Sequence, residues 1–109
     1  LLVAKKLLSN PETNTTKLQN QYSDLLFIKW QESKTSTSST EAIDYLSGQI
    51  DKKDFAQDQI HYRLAIIKSF LGDNESAKYH LNYIISNFQD SNLRNAAEIK
   101  LKSINTQYS

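Results

Sequence analysis

The sequence of 109 residues has no cysteine, only two glycines and only one proline. Without cysteine, the chain can form no disulfide and has no thiolate for catalysis or metal binding. Scarce glycine and proline argue against an all-β fold, because the tight turns between strands rely on these residues. The composition therefore favours helices joined by short polar connections.

An excess of one charge and a long apolar run are also missing. Thirteen basic and twelve acidic side chains give a net charge of +1, so no long-range attraction to nucleic acid or anionic lipid is expected. No run approaches the roughly 18 apolar residues of a membrane span. The stretch 1–8 is short and carries two lysines in its middle, unlike a signal-peptide core. Because the chain does not begin with Met, we expect it to be a piece of a longer protein.

Apolar residues recur at helical spacing along most of the chain. They predict about six helices, over residues 1–8, 17–33, 41–50, about 55 or 58 to 71, 74–87, and from 91 onward. The polar segment 33–40 has no such periodicity and is predicted to be a loop. Short connections predict an all-α fold of antiparallel helical hairpins in a single domain spanning 1–109.

Two sets of residues predict where helices begin and end. Ser38 and Glu41 have the spacing of a capping box at the start of the helix over 41–50. Gly72 can adopt the left-handed conformation that closes a helix, and Asp73 can accept the first amides of the next one. A helix that ends at 71 and another that begins at 74 are therefore expected.

Two of the predicted hairpins share a pattern, since Ala42, Leu46 and Ile50 recur as Ala77, Leu81 and Ile85. The second hairpin adds a spaced set of bulky and small residues, namely His61, Leu64, Ala65, Lys68, Ala77 and Leu81. On these residues the segment 57–105 resembles a tetratricopeptide repeat, a family of stacked helix pairs. It departs from the family pattern at His61 and Lys68, where aromatics are usual, and at Gln89, where proline is usual.

The sequence of residues 62–101 is similar to those of bacterial cell-envelope members of this family, such as TolA-binding coordinator proteins and outer-membrane assembly lipoproteins. The resemblance implies a short α-solenoid that acts as a non-catalytic scaffold. It implies another protein or peptide bound in a concave groove, no cofactor, and a periplasmic or cell-envelope location rather than a cytoplasmic one.

Residues that carry chemistry do not assemble into a recognisable catalytic set. His61 has only Asp58 at a helical ligand spacing and His80 has no such neighbour, so both histidines are expected at the surface rather than in a metal site. The sequence has no Gly-x-Ser-x-Gly elbow, and two glycines do not make a phosphate-binding loop. We therefore expect no enzyme activity, no metal and no small-molecule substrate.

The helix predicted to end at 71 carries two apolar stripes. Ile60, Leu64, Ile67 and Leu71 form the stripe expected in the core, and Tyr62, Ile66 and Phe70 form a second one. The resemblance implies that the second stripe lines the concave groove, and that its partner-binding set is Gln59, Tyr62, Arg63, Ile66 and Phe70, joined by Tyr22 and Trp30. The alternative is that the helices over 17–33 and from 91 onward cover this stripe.

Two further functions remain open at this level. The chain could be a nucleic-acid-associated helical domain, although its lysines and arginines are scattered, or a structural spacer within a larger protein. A binding curve against salt separates the first from a scaffold, because phosphate contacts make affinity steeply salt-dependent. Direct membrane insertion is not expected, since no helix pairs a cationic face with a purely apolar one.

Overall fold

The computed structural model describes residues 16–52 and 55–107. Over these ranges it contains five helices and no strand: α1 (Thr16–Ser33), α2 (Ser36–Ser47), α3 (Gln57–Phe70), α4 (Asn74–Asn87) and α5 (Asn92–Gln107). The prediction of an all-α fold is confirmed for this part of the chain. The helix predicted over 1–8 lies outside the described residues. Among the helices within them, none is both long and apolar enough to cross a membrane.

The chain divides into two compact units, residues 1–55 and 56–109. The first contains the α1–α2 hairpin, and the second contains α3, α4 and α5. The single domain over 1–109 stays a prediction.

In the first unit, α1 and α2 run antiparallel. The indole N–H of Trp30, late in α1, donates a hydrogen bond to Oγ of Ser39, early in α2 (2.9 Å). Tyr22, early in α1, packs edge-on against Tyr45, late in α2, with ring centroids 4.8 Å apart. Burial, with a smaller contribution from Tyr22, raises the pKa of the Tyr45 phenol. The apolar side chains buried between α1 and α2 are those of Tyr22, Leu26, Trp30, Ala42 and Leu46.

α2 begins and ends earlier than the sequence predicts. It starts at Ser36, so the predicted loop over 33–40 is wrong for residues 36–40. Its last residue is Ser47, and Gly48 is the C-cap, so Ile50 lies beyond the helix. The Ser- and Thr-rich residues 35–40 can begin a helix because their hydroxyls form hydrogen bonds within the hairpin. The polar composition of the segment alone does not reveal these hydrogen bonds.

The N-terminal cap of α2 is Thr35, and the predicted Ser38–Glu41 capping box is therefore wrong. The Thr35 side chain accepts from the backbone N–H of Ser38 (3.0 Å), and Oγ of Ser38 accepts from the N–H of Thr35 (3.1 Å). Ser39 is also buried, and its hydroxyl donates to the Thr35 carbonyl (2.7 Å) while it accepts from Trp30. The capping box thus lies three residues before the predicted one, next to the buried indole.

In the second unit, the contacts define the directions of three helices. Lys68, late in α3, contacts Ser76, early in α4, so these two helices are antiparallel. Asp58, at the start of α3, accepts a hydrogen bond from the Ser91 hydroxyl just before α5 (2.6 Å), so α3 and α5 begin at the same end. The chain therefore passes up, down and up through this unit.

The core of the second unit, called here the hairpin core, is made of small and bulky apolar residues from all three helices. Its buried members are Ala65, Ala77, Leu81, Ile84, Ala97 and Ile104, with Tyr62, Ile85, Phe88 and Leu101 packed against them. The predicted α3 stripe of Ile60, Leu64 and Ile67 is buried. Leu71, predicted to belong to it, is instead half exposed, because α3 ends at Phe70 and Leu71 is its C-cap.

Gly72 connects α3 to α4 with a φ of +88°, and the predicted stop-and-restart is confirmed. The N–H of Asp73 donates to the carbonyl of Lys68 (2.9 Å), which closes α3. The Asp73 side chain accepts from the N–H of Ser76, which caps α4. Glycine suits this turn because a residue with a Cβ pays for the left-handed conformation in free energy.

We expect Gly72→Ala to lower the free energy of unfolding by about 1 kcal/mol. The cost is conformational, because an added Cβ would meet no atom within 4 Å. The matched control is Gly48→Ala, where φ is −68° and the Cβ would make ordinary contacts with backbone oxygens of Tyr45 and Asp44. That change is expected to be neutral or slightly stabilising. Urea unfolding followed by circular dichroism measures both variants. Equal losses in the free energy of unfolding would contradict the left-handed conformation assigned to Gly72.

Candidate functional site

Five of the predicted binding residues lie on α3. Gln59 is exposed, whereas Tyr62, Arg63 and Ile66 are half-buried. Phe70, at the C-terminal end of the helix, leaves 52% of its surface exposed. Phe70 therefore offers the largest exposed apolar area of the five.

Tyr62 has a divided role. Its side chain packs against the hairpin core, so part of its surface is covered within the second unit. Ile66 and Phe70 continue the stripe one and two turns further along α3, and Leu71 beside Phe70 is half exposed as well. The structure thus places a small apolar patch at the end of α3.

Tyr22 and Trp30, the other two predicted binding residues, belong to the first unit and are buried. Trp30 is 2% exposed, donates to Ser39, and stacks on Phe27 with ring centroids 5.7 Å apart. Tyr22 packs against Tyr45. Both rings are therefore buried between α1 and α2, and in the folded unit they offer little area to a partner.

Two open grooves lie within the second unit. One, of about 400 Å³, lies between α4 and α5 and is lined by Ile85, Glu98, Leu101, Lys102, Asn105 and Thr106. The other, of about 540 Å³, lies where α3 and α5 begin and is lined by Ala56, Asp58, Gln59 and residues 90–93. Gln59 is the predicted binding residue that lines one of them. Asp58 in this second groove already accepts from Ser91 and from the Gln59 N–H.

Both histidines are buried between α3 and α4, so the prediction that they lie at the surface is wrong. His61 is 1% exposed and His80 is 4% exposed. Their Nδ1 atoms are 2.8 Å apart, within hydrogen-bond distance. Nε2 of His80 lies 3.3 Å from Nζ of Lys68, which also donates to Oγ of Ser76 (2.8 Å). A polar network thus crosses the interface between the two helices.

The protonation of this network follows from its geometry. The Lys68 ammonium can only donate, so Nε2 of His80 must accept. Neutral His80 then carries its proton on Nδ1 and donates it to Nδ1 of His61, which leaves the proton of neutral His61 on Nε2. Burial, the Lys68 charge and His61 together lower the pKa of His80 to about 4, and Asp73 partly opposes them.

In the sequence, His61 and Lys68 stood out only as departures from the resemblance to tetratricopeptide repeats. Tyr83 on α4 stacks on the His61 ring with centroids 4.0 Å apart, as a core aromatic would. The spacing of residues along either single helix could not reveal a pair formed across two helices.

The described residues contain no group of three or more His, Asp or Glu side chains placed to bind a metal ion. Comparisons with protein-family models, with curated proteins and with solved structures find no match for this chain.

Proposed function

We propose that this chain is a non-catalytic helical scaffold of tetratricopeptide type that binds another protein or a peptide along the outer face of α3. The observation that carries the proposal is the apolar patch of Ile66, Phe70 and Leu71 at the end of this helix, with Arg63 one turn before it. Aromatic and arginine side chains supply a large share of the energy at protein interfaces. A helix packed on its other faces holds them in place.

The spacing of the α3 residues defines the shape of the bound segment. Gln59, Arg63, Ile66 and Phe70 follow i, i+4, i+7 and i+11, so they line one face of the helix. At 1.5 Å per residue this line is about 16 Å long. That length suits about five residues of an extended peptide, or about three turns of a helix laid alongside. We propose that an apolar side chain of the partner packs on Phe70 while its polar groups meet Arg63 and Gln59.

A solenoid arrangement belongs to the same proposal. The up-down-up course of α3, α4 and α5 supports it, since one repeat would be α3 with α4 and the next would begin with α5. Ala65 and Ala77, on facing helices of this pair, are both fully buried in the hairpin core, as close helix packing requires. A role in a bacterial envelope assembly rests on the resemblance of the sequence alone.

Replacing Phe70 by serine is expected to weaken partner binding at least tenfold, because it removes the largest exposed apolar area of the face. The helical circular dichroism should not change, since the ring is half exposed. Partners captured from cells of the source organism by the wild-type chain would be identified by mass spectrometry and titrated against each variant.

The matched control is Ile99→Ser, which removes an apolar side chain that is 72% exposed on α5. It should bind the same partner as tightly as wild type. Equal weakening by both variants, or unfolding of Phe70→Ser, would contradict the assignment of α3 as the binding face. A wild-type affinity that falls steeply with salt, together with captured nucleic acid, would instead support the nucleic-acid alternative.

A further inference from the structure

The network between α3 and α4 is a chain of hydrogen bonds in which each donor and acceptor role is fixed, so an additional proton disrupts it. Lys68 donates to His80, and His80 donates to His61, over 3.3 Å and 2.8 Å. If His80 gained a proton, its Nε2–H would point at the Lys68 ammonium. If His61 gained one at Nδ1, two N–H groups would face each other. Either site of protonation therefore replaces a hydrogen bond with a repulsive contact.

Groups from α3, from the connecting turn and from α4 face the pair within the second unit. Lys68 on α3 carries a positive charge that opposes protonation, and Asp73 in the turn carries a negative charge that favours it. The Tyr79 and Tyr83 rings on α4 pack against His80 and His61. Lys68 is in direct contact with His80, and Asp73 has the smallest effect among the groups that shift the pKa of His80.

We propose that the His61–His80 pair is a proton-sensitive latch that holds α3 against α4 at neutral pH and loosens this hairpin in mildly acidic solution. The latch is independent of the proposed partner and would operate in the free chain. It differs from a buried apolar contact because its free energy depends on pH, and from a surface histidine because its rings are almost completely removed from water.

The direction of the pH effect follows from proton linkage. In the unfolded chain His80 titrates near its ordinary value of 6.5, whereas in the folded chain its pKa is about 4. Above pH 6.5 both states are neutral and the contribution of the pair to stability is complete. Between 6.5 and about 4 only the unfolded state takes up a proton, so stability is lost as the pH falls. The unfolding equilibrium constant is expected to rise up to about tenfold per pH unit, or about a hundredfold in all.

Nuclear magnetic resonance of the wild-type imidazoles tests the latch directly. At neutral pH we expect a proton on Nδ1 of His80 and on Nε2 of His61, with hydrogen-bond coupling between the two Nδ1 atoms. On acidification the His80 ring should stay neutral well below pH 6.5. Opposite tautomers, or a His80 ring that titrates near its ordinary pKa while the chain stays folded, would overturn the proposal.

The variant Lys68→Met separates the latch from burial alone. Without the ammonium, Nε2 of His80 can carry a proton, so we expect its pKa to rise towards 6.5 and the unfolding constant to change several-fold less with pH than in wild type. The matched control is Lys102→Met, which removes the same charge from an exposed position on α5. It should leave the His80 titration unchanged. A His80 pKa that is the same in both variants would overturn the role of Lys68, and the wild-type spectra decide the matter if Lys68→Met does not fold.

Discussion

Replacing Leu81 by alanine is expected to lower the free energy of unfolding by about 2–5 kcal/mol. Leu81 is fully buried on α4 in the hairpin core, to which α3, α4 and α5 contribute. The same core includes Ala65 and Ala97, whose short side chains cannot extend to fill the space that the lost methyl groups leave. The loss therefore combines the transfer of apolar groups to water with the cost of a cavity. Urea unfolding, with the helical circular dichroism as signal, measures it.

The matched control for Leu81 is Ile99→Ala on α5. Ile99 is 72% exposed, so its truncation should change the free energy of unfolding by no more than about 0.5 kcal/mol. A loss from Leu81→Ala as small as that of the control would show that the helices of the second unit do not pack as described.

The second large effect is expected from Trp30→Ala, at about 3–5 kcal/mol. The indole is 2% exposed and fills the interface between α1 and α2, and its N–H is bonded to Ser39. The alanine variant would leave a cavity beside Phe27 and would remove the N–H that donates to the buried Ser39 hydroxyl. Chemical unfolding followed by circular dichroism gives the change without relying on the fluorescence of this tryptophan.

Ser39→Ala tests how much of the Trp30 effect comes from the hydrogen bond, and Leu25→Ala is the surface control. Ser39→Ala keeps the ring but leaves its N–H without this acceptor, at an expected cost of about 1–3 kcal/mol. Leu25→Ala, on the same helix at a position 41% exposed, should cost well under 1 kcal/mol. If Trp30→Ala were as mild as Leu25→Ala, the tryptophan would be accessible, as its predicted role in binding requires.

The accuracy of the predicted helices depends on whether their ends carry local signals. The bounds of α4 are those predicted, Asn74–Asn87, because Gly72 and Asp73 specify the turn within a few residues. α2 was placed too late, because the segment 33–40 contains many hydroxyl residues that can each cap a helix. The choice among them depends on the buried Trp30, which is not adjacent in sequence.

The predicted binding residues differ in how far the structure exposes them. Periodicity along α3 identified the second stripe of Tyr62, Ile66 and Phe70, and the structure leaves Ile66 and Phe70 partly exposed. The predicted binding set also included Tyr22 and Trp30, although both rings are buried within their own hairpin. An aromatic residue on an amphipathic helix fits a groove as well as a core, and periodicity does not distinguish the two.

By itself the sequence determined that the chain is helical and where α3 and α4 are separated, because these depend on spacing and on residues a few positions apart. Only the tertiary structure decided that His61, His80 and Lys68 form one buried network, and that Ser39 accepts from Trp30. These contacts join side chains on different helices, and their free energy comes from the removal of water at a packed interface. The protonation of the histidines therefore depends on how the helices pack, which no single helix specifies.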